Sequence, residues 1–143
     1  MSVKQLSVFA ENRNGSFYEI TKILSDAGIN LRAFSVADTQ NYGILRLIVS
    51  DPRAAALALS TEGKIVSVTD VVGVRIPDEQ GGLAELLRVL AEADVSVEYL
   101  YAFVAARGGN AYAVLRVEDN AKTEALLAGS GFTLLSDEDL KQA

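Results

Sequence analysis

The sequence predicts an α+β fold made of two ferredoxin-like βαββαβ units in tandem, each an antiparallel sheet carrying two helices. Three observations carry that expectation. The chain repeats itself, each copy has apolar segments of strand and helix period in the order β-α-β-β-α-β, and glycines punctuate both copies at matching turns.

A shift of 66 positions lays Gly15 on Gly81, Glu19 on Glu85, Lys22 on Arg88, Leu24 on Leu90 and Ala27 on Ala93. The same shift lays Leu6, Val8 and Ala10 on Val72, Val74 and Ile76, so the alternating pattern is kept. After a hairpin two residues longer in the second copy the shift becomes 68. Leu47 then matches Leu115, Val49 matches Val117, Asp51 matches Asp119 and Gly63 matches Gly131. Two domains follow, residues 1–69 and 70–143. One copy of about 70 residues has a marginal core and leaves a sheet face and two edges uncovered, which pairing of copies relieves.

In the first copy Leu6, Val8 and Ala10 alternate with Gln5 and Ser7, a strand with one buried face. A loop from Glu11 to Gly15 follows. Phe17, Ile20, Leu24 and Ala27 recur at helical spacing, and Gly28 ends that helix. Leu31 to Ala37 is extended, Asn41-Tyr42-Gly43 is turn-like, and Ile44 to Val49 is a second apolar strand. Asp51-Pro52 marks a helix start. That helix stops near Gly63, and Ile65 to Val68 is the last strand. The second copy gives a strand over Val71–Ile76, a loop at Pro77–Gly81 and a helix carrying Leu83, Leu86, Leu87 and Leu90. A strand from Val95 to Phe103 turns at Gly108-Gly109 into Tyr112–Val117. A helix over Ala121–Leu127 and a strand at Phe132–Leu135 complete the copy. The Asp137-Glu138-Asp139 run caps a short final helix through Leu140.

Composition narrows the function. The 143 residues are 50% hydrophobic, enough for a packed core, and contain neither cysteine nor histidine. Disulfides, thiolate nucleophiles, nucleophile–histidine pairs and the commonest metal ligand are thereby excluded. The net charge of −6 sits in the second half: residues 1–70 carry seven basic and seven acidic side chains, residues 71–143 six and twelve. No basic face is available for nucleic acid. No apolar run reaches the roughly 20 residues of a membrane span, and the first residues lack the apolar core of a secretory signal. The expectation is a cytoplasmic protein with no metal, no cofactor, no nucleic-acid partner and no membrane contact.

The loop between the first strand and the first helix of each copy is the candidate ligand site. It reads Asn12, Arg13, Asn14, Gly15, Ser16, Phe17 in one copy and Asp78, Glu79, Gln80, Gly81, Gly82, Leu83 in the other. Glycine lets backbone amides approach a ligand, and free amides at a helix N-terminus favour a carboxylate. Asn12 and Asp78 share a place in the repeat, and either could accept a hydrogen bond from an ammonium group. The pairing suits an α-amino acid, although the same residue types also serve as ordinary turn and cap residues.

The order strand, Asn/Asp-x-x-Gly loop, helix, then Gly28-Ile29-Asn30 or Asp94-Val95-Ser96 before the next strand resembles the ACT domain, a regulatory amino-acid-binding module. The joining segment Thr69-Asp70-Val71-Val72-Gly73 and the stretch from Val97 to Phe103 extend the likeness, and the whole chain resembles tandem ACT proteins. The resemblance implies ligand sites where ACT units meet. Those sites would be built from Asn12 to Phe17 with Asn30, Leu31 and Arg32, and from Asp78 to Leu83 with Ser96. It also implies a non-catalytic regulatory role and homo-oligomerisation. Asn14 and Gln80 stand where the family often has proline, Asn12 where aspartate is usual, and Asp94-Val95-Ser96 where Gly-Ile-Asn is usual. Unequal affinities in the two copies are expected. Two alternatives remain: a ligand-free interaction module that recruits an enzyme partner, and a small acylphosphatase-type hydrolase using Arg13.

Overall fold

The structure, a computed structural model, describes residues 2–11, 13–38, 42–104 and 109–141. Contacts between residues divide the chain into one unit of Lys4–Thr69 and another of Asp70–Ala143 with Met1–Val3.

The first unit contains β1 (Val3–Glu11) from Lys4 onward, α1 (Ser16–Asp26), β2 (Leu31–Asp38), β3 (Tyr42–Val49), α2 (Pro52–Thr61) and the opening residues of β4 (Val66–Pro77). β3 pairs antiparallel with β1, from Leu6↔Leu47 to Glu11↔Tyr42, and antiparallel with β2 on its other side. The Phe9 amide donates to the Ile65 carbonyl at 3.0 Å, so the segment leading into β4 lies beside β1. Alternation sends Leu6, Val8 and Ala10 of β1 and Leu45, Leu47 and Val49 of β3 to one face. There they meet Ile20 and Leu24 of α1 and Ala55 and Leu59 of α2 in one buried cluster. Gly28, at φ 73°, lets the chain leave α1, with the Ile29 amide donating to the Leu24 carbonyl. α2 starts as its sequence requires: Asp51 accepts from the Ala54 amide at 3.1 Å and Pro52 is the first helical residue.

The second unit continues β4 and adds α3 (Gly82–Glu92), β5 (Val97–Val104), β6 (Asn110–Val117), α4 (Asn120–Gly129), β7 (Thr133–Leu135) and α5 (Asp137–Lys141). β4 pairs with β6 and with β7, and β6 pairs with β5, all antiparallel. Val72, Val74, Ile76, Leu86, Leu90 and Leu127 anchor the corresponding core. Asp119 caps α4 as Asp51 caps α2, accepting from the Lys122 amide at 3.0 Å.

Several local expectations are corrected. The expected strands 65–68 and 71–76 are one 12-residue strand, β4, which starts at Val66 after Ile65, because no glycine or proline interrupts Val66 to Asp70. Tyr42 and Gly43 open β3 rather than forming a turn: Tyr42 stacks on Phe9 with ring centroids 4.5 Å apart, and Gly43 pairs with Ala10. Asn41 and Gly108 lie outside the described residues. Val95 precedes β5, because its amide donates to the Leu90 carbonyl and closes α3. At the last helix Ser136 and Asp139 form a reciprocal cap: the Ser136 amide donates to Asp139 Oδ2 at 2.8 Å, and the Asp139 amide donates to Ser136 Oγ at 3.3 Å.

Candidate ligand-binding loops

The two loops are the same object built twice. Gly15 (φ 85°, ψ 0°) and Gly81 (φ 84°, ψ −6°) precede α1 and α3 in the left-handed conformation, which glycine adopts without strain. The Ser16 amide donates to the Arg13 carbonyl at 3.3 Å, and the Gly82 amide to the Glu79 carbonyl at 3.1 Å. The Glu19 and Glu85 amides donate to the carbonyls of Gly15 and Gly81, both at 2.9 Å. Glycine at the cap position offers no side chain to the helix. Among the described residues, the amides of Phe17 and Tyr18, and those of Leu83 and Ala84, meet no acceptor. The helix dipole adds to these donors, so both sites favour an anionic group.

The side chains around the loops differ. Arg13 donates to both oxygens of Glu19, at 3.0 and 2.7 Å, and to Glu11 at 3.2 Å. Lys64, just after α2, donates to the same Glu19 Oε2 at 2.9 Å. Hydrogen bonds from Arg13 and then Lys64 hold the Glu19 carboxyl down at about 2. The Arg13 guanidinium is correspondingly raised, first by Glu19 and then by Glu11. In the second unit the equivalents of Arg13 and Lys64 are Glu79 and Phe132. Glu85, which replaces Glu19, is bound on its own helix by Arg88, whose hydrogen bonds lower it.

Beside each loop lies a crevice between the β1–α1 or β4–α3 loop and the turn after α2 or α4. In the first unit it is lined by Phe9, Glu11, Arg13, Ser16, Gly63 and Lys64 and measures about 100 Å³. In the second it is lined by Arg75, Pro77, Glu79, Gly82, Glu85 and Phe132, among others, and measures about 400 Å³.

Placement of the expected site residues is divided. Arg13, Asn14, Gly15, Ser16 and Phe17 share one loop and helix start, as do Asp78, Glu79, Gln80, Gly81, Gly82 and Leu83. Asn12 lies outside the described residues. Ser16 is buried and donates through Oγ to the Glu11 carbonyl at 2.7 Å, while Phe17 is 43% exposed. Asn30, Leu31 and Arg32 stand at the other end of their own sheet: Leu31 pairs with Val49, whereas the loop follows the Glu11↔Tyr42 pair. The length of β3 between these rungs is about 23 Å. Asn30 is engaged there with Ser50, its amide donating to Ser50 Oγ at 3.0 Å and its carbonyl accepting from the Ser50 amide at 2.9 Å. Ser96 is likewise at the far end of its unit, next to the Val97↔Val117 pair, while the loop follows Pro77↔Asn110. Within a unit the loops and strand starts are not brought together. Sequence reasoning missed Lys64, Arg75, Asn110 and Phe132 at the crevices. An arginine inside the apolar run of β4, and the charge reversal from Arg13 to Glu79, were the available signals.

Among the described residues no group of three or more acidic side chains is arranged to hold a metal ion. No helix among them is long and apolar enough to cross a membrane.

Comparison with known proteins agrees with the repeated architecture. The chain matches the family described as the ACT domain pair over residues 1–143. A protein of Bacteroides thetaiotaomicron known from its crystal structure is 39% identical, with 100% of this chain and 98% of that one covered and a TM-score of 0.92. The regulatory subunit of aspartate kinase from Thermus flavus is 15% identical, with 90% of each chain covered and a TM-score of 0.62. The ligand-free regulatory subunit from Thermus thermophilus is 12% identical, with 88% of this chain and 90% of that one covered and a TM-score of 0.63. At such identities the likeness is one of fold. No curated protein matches the chain.

Proposed function

The chain belongs to the ACT domain pair family, and from that premise we propose that it is a non-catalytic, cytoplasmic regulatory protein that binds an amino acid at its glycine loops. The observation that carries this reading is the repetition of one arrangement: a left-handed glycine, then two helix-start amides with no acceptor among the described residues. Such donors suit an α-carboxylate, and the neighbouring Asp78 and Glu79 carboxylates suit an ammonium group in the second unit. In the first unit Arg13 is held by Glu19 and Glu11, so the two loops present different charge and unequal affinities follow. The same pairing disfavours a hydrolase, whose arginine would have to be available to an acyl phosphate.

Asn30, Leu31, Arg32 and Ser96 can join a ligand at a loop only if supplied from outside the unit that owns it. This supports a homo-oligomer in which another copy of the chain completes the site. A second reading, recruitment of an enzyme partner, is favoured by Phe34 and Val36 on β2, 65% and 44% exposed.

A thermal-shift screen of the twenty amino acids tests the proposal. A ligand at a hundredfold excess over its Kd stabilises the folded state by about 2.7 kcal/mol, a rise of several degrees. No rise with any amino acid at millimolar concentration, together with a stoichiometric enzyme partner in a pull-down, would replace amino-acid binding by recruitment.

A further inference from the structure

The two repeat-related crevices have the same walls and different contents. In the first unit, the chain's own cations occupy the crevice: Arg13 Nη2 and Lys64 Nζ lie 2.7 and 2.9 Å from one oxygen of Glu19. At about 100 Å³ this crevice is about a quarter the size of its counterpart in the second unit. In the second unit the equivalents of both cations are missing, replaced by Glu79 and Phe132, while Glu85, at the place of Glu19, accepts instead from Arg88 on its own helix, which leaves the Glu79 carboxylate to meet a cation. The crevice there opens to about 400 Å³, within the range of small-molecule sites. Glu79 and Glu85 line it, and Phe132 and Pro77 add apolar wall. Arg75 also lines it. Its Nε is buried without a hydrogen-bond partner among the described residues, and its guanidinium carbon lies 5.9 Å from the centre of the Tyr112 ring. A buried donor without an acceptor is rare in folded proteins and calls for a partner.

From this comparison we infer that the crevice of the second unit binds a basic amino acid. The ligand's ammonium or guanidinium group takes the place that Arg13 and Lys64 fill in the first unit, and its carboxylate is shared between Arg75 and the helix-start amides of the glycine loop. The first unit thus carries a covalently attached mimic of the complex formed by the second. Glu79 selects for the cation, Arg75 for the carboxylate, and Phe132 packs along the aliphatic stem. The inference rests on the amino-acid-binding reading and names the ligand class and the unit that takes it.

Isothermal titration of the full chain with L-lysine and L-arginine tests it, with L-glutamine and cadaverine as probes lacking the side-chain charge and the carboxylate. Saturable binding of L-lysine or L-arginine is expected, with L-glutamine and cadaverine each at least about tenfold weaker. Glu79→Gln should weaken binding by about tenfold. Phe132→Lys, which installs the cation of Lys64, should abolish binding while the melting temperature is retained. Failure of both basic amino acids to bind at millimolar concentration overturns the inference, as does binding indifferent to Glu79→Gln and to Phe132→Lys. Equal affinity for cadaverine removes the role given to Arg75 and overturns it equally. If neutral amino acids raise the melting temperature while the basic ones fail, the glycine-loop reading stands and only the crevice falls.

Discussion

A Cβ placed on Gly82 would collide with the carbonyl oxygen of Pro77, far inside contact distance. The repeat puts Ser16 at the same position in the first unit, where its Oγ donates to the Glu11 carbonyl at 2.7 Å. One copy therefore closes the strand-to-helix corner with a hydroxyl and the other by backbone approach. Gly82→Ala should destabilise the second unit by about 1–3 kcal/mol through overpacking, read as a lower urea midpoint at unchanged slope. Ser16→Ala, which only forfeits the hydrogen bond, should cost about 1 kcal/mol.

Gly15 and Gly81 test conformation without packing. A Cβ at either would meet nothing within 4 Å, yet both have φ near 85°. Gly15→Ala and Gly81→Ala should each cost about 1–2 kcal/mol, and each should cost the same, since the penalty comes from the left-handed backbone alone. Denaturant unfolding of the two variants checks the equality.

The helix caps make a second matched pair. Asp51→Ala and Asp119→Ala each remove one acceptor for a first-turn amide. Each should lower stability by about 1 kcal/mol, whereas replacement by asparagine, which keeps an acceptor, should cost a few tenths. Urea midpoints of the four variants decide.

The Glu19 network has a pH signature. Its carboxyl is held at about 2, below the ordinary 4.5, by Arg13 and Lys64. A depressed folded-state value means that the contribution to stability is present above pH 4.5 and is lost as pH falls from there toward 2. Carbon-detected NMR titration of the Glu19 side chain should give a midpoint near 2. Lys64→Met should move that midpoint upward, because one of its two cationic donors is gone. All three groups are partly exposed, so added salt should weaken the effect.

Much of this fold was legible because it is written twice. Matched glycines, the Asp51 and Asp119 caps and the alternation of Leu6, Val8 and Ala10 are local signals that report backbone conformation directly. What escaped depends on tertiary context. Gln5 sits on the polar side of the β1 alternation yet is fully buried, which no period-2 pattern reveals. Phe17 falls on the apolar spacing of α1 but is 43% exposed, while Ser16 beside it is buried, because the helix enters at an angle set by the glycine corner. At the candidate site, the loops could be read from their glycines. Lys64 and Phe132 could not, since they arrive from the far end of each unit and meet the loop only when the sheet brings them there. The separation of Asn30 and Ser96 from their own loops follows from strand direction and register, which sequence spacing does not disclose.

The central claim is that the amides after Gly15 or Gly81, which meet no acceptor among the described residues, capture an amino-acid carboxylate. Amide NMR during titration of the full chain with the best stabilising amino acid tests it most directly. Saturable shifts are expected at Phe17 and Tyr18, or at Leu83 and Ala84, and should be lost when the ligand's α-carboxylate is replaced by an amide. Saturable shifts confined to residues remote from both loops, or indifference to the carboxylate, would contradict it.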